Sequence, residues 1–165
     1  PDESEKAFKS ALRVDPFHAY PHAGLSDLYA SLRRFAESAQ HALQAGLLDP
    51  AAEWPRNQFL KICGEDPKAW LQVLPKVLDC LNATTVDPGL TEMAIRGFEF
   101  VLSRKATSAR EVLSMIEAAG NPEPVSIVTL ALRSLDEPGL LDKVSPEVRT
   151  VAKDFVAKIS SPPTP

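Results

Sequence analysis

The sequence predicts an all-α fold of about nine or ten helices in antiparallel pairs, and three observations predict it. Apolar residues recur three and four places apart through most of the chain. Proline makes up 15 of 165 residues, and six of the fifteen fall behind Asp, Asn or Ser at the junctions between those segments. A phrase that opens on Ala and closes on Asp-Pro recurs after 34 residues, as Ala11–Pro16 and Ala45–Pro50.

The proline placement reconciles high proline content with helix. A side-chain oxygen of Asp, Asn or Ser accepts a bond from a free N–H of a helix's first turn. Proline in the next place loses nothing, because an N–H there has no intrahelical partner. Asp66-Pro67, Asp87-Pro88, Asn121-Pro122 and Ser145-Pro146 therefore read as helix starts, whereas Asp15-Pro16 and Asp49-Pro50 end one helix and turn towards the next.

Taken in order, residues 2–14 form one helix, residues 19–48 a helix pair, and a further helix begins at Glu53. After Asp87-Pro88, the residues Leu90, Met93, Ala94, Gly97, Phe98 and Val101 make one stripe. Ile95, Phe100 and Leu102 add apolar surface off it, so this helix is expected to be buried on more than one side. Ser108 with Glu111 makes a capping-box start, Val112, Leu113 and Ile116 face inward, and Gly120 ends that helix. The β-branched stretch Val125–Leu132 would suit a strand, but no second strand exists to pair with it, so it reads as a buried helix. The last helix carries Val148, Val151, Ala152, Phe155, Val156 and Ile159 as its stripe, and residues 160–165 are a tail with no core to join.

The 34-residue period has interior structure. His22, Leu25, Ser26 and Tyr29 lie on the first helix of the pair at bulky, Leu, small and aromatic places. Ser38, Ala42, Ala45 and Pro50 follow on the second at small, bulky, small and Pro places, and Ser4, Phe8, Ala11 and Pro16 repeat that second set one period earlier. In this length and spacing the chain resembles the tetratricopeptide repeat family. The likeness covers residues 2–50, weakens from Glu53 with Arg56, Phe59, Leu60 and Cys63, and is lost where Gln72, Lys76 and Asp79 stand at small, bulky and small places. It implies a short right-handed solenoid over residues 1–64, with residues 65–159 as further helical hairpins, packed on the array or folded as a small bundle.

Composition narrows the function. The net charge is −4 and neither half of the chain is basic, so the counterion-release term that drives nucleic-acid binding is missing. No apolar run approaches the roughly 18 residues that cross a bilayer, and residues 1–8 are charged where a signal peptide would be apolar. The start on Pro1 reads as the cut end of a longer protein, and a cytoplasmic setting is expected. Cys63 and Cys80 have apolar neighbours and read as reduced core thiols.

Catalytic motifs are not found. There is no phosphate-cradling glycine loop, no Gly-x-Ser-x-Gly elbow and no His-Glu-x-x-His. His18 and His22 have the four-residue spacing of a metal pair but no third ligand nearby, and His41 reads as solvated on the outer face of its helix. No cofactor is expected and the segment is not read as an enzyme. The family resemblance instead implies a concave groove lined by the first helices of successive pairs and holding a peptide or helix of another protein. It places Tyr20, Ala23, Asp27 and Ala30 on that surface, with Trp54, Asn57 and Lys61 from the next pair. A scaffold or adaptor is the leading expectation. A substrate-docking or regulatory segment of a larger enzyme, such as a glycosyltransferase, and a self-assembly module are the alternatives.

Overall fold

In a computed structural model, described for residues 2–83 and 87–161, the periodic segments fold as nine α-helices with no strand among the described residues. These are α1 (Asp2–Val14), α2 (Ala19–Ser31), α3 (Phe35–Leu48), α4 (Glu53–Glu65), α5 (Pro67–Ala83), α6 (Pro88–Ser103), α7 (Ala109–Ala118), α8 (Ser126–Ser134) and α9 (Pro146–Ser160). Contacts cluster into two units, Pro1–Val73 and Leu74–Pro165.

In the first unit each helix packs on its neighbour in the chain, α1 on α2, α2 on α3 and α3 on α4. The α2–α3 partners run in opposite directions: His22 meets His41, Ser26 meets Ser38 and Tyr29 meets Arg34. That descending order defines an antiparallel pair, as a three-residue joint requires. Leu25, Tyr29, Ala42, Leu43 and Ala45 are buried in the seam. Ser26 and Ser38 are buried there as well, and each hydroxyl donates to the other residue's backbone carbonyl, at 2.9 and 2.6 Å. This double bond across the seam satisfies two hydroxyls that burial would otherwise penalise.

The α2–α3 joint is closed by a backbone in the left-handed region at Arg33 (φ 58°), with Arg34 N–H donating to the Tyr29 carbonyl. Glycine usually takes such a place. Here, the Arg33 guanidinium lies over Phe35 and that of Arg34 over Tyr29, 4.4 Å from the ring centre. On the other side of α2, Gly24 lies under the Phe8 ring of α1, so close that a β-carbon there would collide with the ring. Glu5 accepts a bond from the Tyr29 hydroxyl at 2.7 Å and pairs with Lys9.

The second unit is laid out differently. Helix α9 packs on α8, its neighbour in the chain, and also on α6, which lies much earlier; α7 packs on α8. The α6 stripe is buried as expected, Leu102 with it, while Ile95 and Phe100 are half-buried. The Ser108–Glu111 capping box is formed, Gly120 adopts φ 90°, and the β-branched stretch is helical, with Val128, Thr129, Ala131 and Leu132 buried.

Three expectations need correction here. Asn121-Pro122 does not start a helix: Asn121 has φ 52° and its N–H closes α7 on the Ile116 carbonyl. Pro122 leads into a 3-10 turn, Glu123–Val125, ahead of α8. The α9 stripe is only partly covered, since Ala152 and Phe155 are buried but Val148 and Val151 are exposed. Helix α9 also runs to Ser160, one residue into the expected tail, of which residues 162–165 lie outside the described residues. Arg149, which lies off that stripe, donates to the carbonyls of Leu141, Asp142 and Val144 and so ties a second 3-10 turn (Leu140–Lys143) to α9.

Candidate functional site

The surface offered by α2 and α4 is the candidate, and it lies wholly within the first unit. Both helices begin after short turns; Asp49 ends α3 ahead of α4, and Asp66 ends α4 itself. The direct link between α2 and α4 is a hydrogen bond from Gln58 Nε2 to Asp27 Oδ1 at 3.3 Å.

The expected residues divide by exposure. Asp27, Asn57 and Lys61 are exposed, Ala23 and Ala30 half-buried. Tyr20 is 70% exposed and Trp54 40%. Tyr20 stands at the start of α2 and makes edge contact with Phe8 of α1, ring centres 6.4 Å apart, and a tilted contact with His18. One edge of the Tyr20 ring is thus held by packing and most of it remains open. Chemically the surface combines two amphipathic aromatics with one carboxylate, one amide and one ammonium, a set suited to contacting a peptide.

Two features of this region were not read from the sequence. Gln58 joins the surface by holding Asp27; its signal, an amide one place on from Asn57, is too common to single out. His41 is the other, and the solvated reading of it is wrong. It is half-buried, with Nδ1 3.0 Å from Nδ1 of His22 and its ring 5.5 Å from that of Tyr29. The reason is that its ring lies against the His22 and Tyr29 rings of α2. Burial lowers the His22 pKa below its usual value, with the Pro16 carbonyl acting in the opposite sense. Neither Cys63 nor Cys80 is in a disulfide; Cys63 is fully buried, and burial pushes its pKa far above the usual range.

In the second unit, one shallow cleft of about 360 Å³ is lined by Asn121, Ser126, Thr129, Arg133 and Glu137, and another of about 280 Å³ by Pro75, Leu78, Asp79 and Met115. Polar groups of the first are already engaged, Thr129 with Asn121 and Arg133 with Glu117. Among the described residues no helix is long and apolar enough to cross a membrane. No family model, curated protein or solved structure matches this chain.

Proposed function

We propose that this chain is a protein-binding scaffold of tetratricopeptide type, which holds a peptide or helix of a partner protein against the α2–α4 face. Binding, not catalysis, is the role assigned to it, in a cytoplasmic setting. The observation that carries the reading is the Asp27–Gln58 bond, which links a side chain of α2 to one of α4, while Tyr20 and Trp54, 34 residues apart, both leave ring surface open. The buried Leu25, Ser26, Tyr29, Ser38, Ala42 and Ala45 support the repeat register from which that face was assigned.

The test uses peptides selected from a random display library on the 165-residue chain, with affinity measured by fluorescence anisotropy. Tyr20→Ala with Trp54→Ala is expected to weaken binding by ~2 kcal/mol or more per ring, with helix content kept. A fall in melting temperature with affinity intact would reassign the two rings to packing. Unchanged affinity and unchanged melting would remove this face as the binding surface.

A further inference from the structure

We propose that the outer face of α1, formed by Ser4, Ala7, Ala11 and Val14, is a docking surface for one antiparallel helix of a partner protein, patterned like α2. These residues lie three and four places apart and so share one side of the helix. None of them belongs to the α2–α4 surface. The side of α1 that packs on α2 is a different one. Glu5 and Phe8, each one place further on and so about 100° round the axis, meet Tyr29, Tyr20 and Gly24 of α2. On the outer face Ser4, Ala7 and Ala11 are exposed, Val14 is 88% exposed, and α1 buries no residue at all.

What covers such a face is seen one period later, where Ser38, His41, Ala45 and Leu48 of α3 hold the places 34 residues on. Ser38 and Ala45 are fully buried, and His41 and Leu48 are half-buried. The helix that meets them is α2, through Ser26 on Ser38 and His22 on His41. The same small residues thus make a closed seam in α3 and an open one in α1. Small side chains at Ser4 and Ala11 let a second helix come close, and Ser4 can exchange hydroxyl bonds with a serine opposite, as Ser38 does with Ser26. The helix that fits therefore carries the bulky, Leu, small and aromatic spacing of His22, Leu25, Ser26 and Tyr29. A second copy of the chain does not supply it, because that pattern is already covered: Leu25, Ser26 and Tyr29 on α2, and Phe59, Leu60 and Cys63 on α4, are buried.

The probe is a fluorescein-labelled peptide of residues 17–34, offered to the intact 165-residue chain and followed by anisotropy. Saturable binding is expected. Ala11→Trp fills the open seam and should weaken it about tenfold or more, while Ala157→Trp, at an exposed place on α9, should leave it unchanged. With free peptide at about ten times Kd, amide exchange in α1 should slow about tenfold. Because a short helix forms poorly alone, the same residues are also joined directly ahead of Pro1, which keeps the 34-residue period. There α1 should gain the same protection, and a scrambled order of the added residues should give none. No gain in α1 protection from either form would overturn the proposal. Binding that survives Ala11→Trp would overturn it too, and its loss with Tyr20→Ala and Trp54→Ala would place the peptide on the α2–α4 face instead. A dimer of the unmodified chain in sedimentation, dispersed by Ala11→Trp, would give the face to a second copy and equally sink the idea.

Discussion

The two units bury comparable helices by different logic. In residues 2–73 each helix meets its neighbour in the chain, and small residues, Ser26, Ser38, Ala42 and Ala45, hold α2 and α3 close. In residues 74–161 the last helix returns to α6 as well as to α8, and large side chains fill the core of both units, Tyr29 and Phe59 in the first and Phe98 and Phe155 in the second. The difference is one of contact range. A stack of neighbours is stabilised locally and can lose an end without losing the rest, whereas a helix that closes back on a distant one ties the unit into a single cooperative body.

The contrast can be broken most forcefully at Phe155. Phe155→Ala should cost ~3–5 kcal/mol and release amide exchange throughout α6, α8 and α9 together; exchange confined to α9 would show that the unit is not cooperative. In the first unit, Ala45→Trp should cost ~1–3 kcal/mol or more by overpacking the seam. Ala11→Trp, one period earlier but exposed, should stay within ~0.5 kcal/mol. Equal melting of the two variants would mean that the repeat register is wrong.

A finer difference is expected at the serine pair. Ser38→Ala should lose ~0.5–1.5 kcal/mol, and the Ser26→Ala, Ser38→Ala double variant less than the sum of the singles, which a double-mutant cycle on melting free energies would measure.

The smallest effect is a pH dependence of α1 docking. Hydrogen bonds from Lys9 and from Tyr29 lower the Glu5 pKa. A carboxylate depressed in the folded state contributes stability above its unfolded pKa, and loses it as pH falls through the depressed value. Amide protection in α1 should therefore weaken only on the acid side of the ordinary carboxylate range, and Glu5→Gln should abolish that dependence. Weakening at neutral pH would point elsewhere.

Legibility followed the same division. The α2–α3 pair was readable because its contacts are set by nearby residues: Leu25, Ser26 and Tyr29 at 3.6-residue spacing, Asp49-Pro50 as its end. Ser145-Pro146 and the capping box at Ser108 were readable because a cap is a local bargain between a side chain and the first free N–H groups. Asn121 misled because Asx residues serve both helix ends: it reads as a cap, yet after Gly120 it completes the closure of α7. Val148 and Val151 carry the helical period without burial, since periodicity marks a face and does not say what covers it. The α2–α4 surface was legible only as far as the repeat supplied its register, and the His22–His41 pairing depends on a side-by-side registry of two helices that no single-helix pattern contains.

The serine pair at the α2–α3 seam has one more consequence. Within their helices the Ser26 and Ser38 carbonyls already accept an amide proton from the next turn, so each hydroxyl that crosses the seam adds a second bond to the same oxygen. A doubly bonded carbonyl vibrates at lower frequency than its helical neighbours, as solvent-facing carbonyls do. Isotope-edited infrared spectra of carbonyls 26 and 38 should therefore carry the signature of hydrated helix from the driest part of the unit, and lose it when the seam opens.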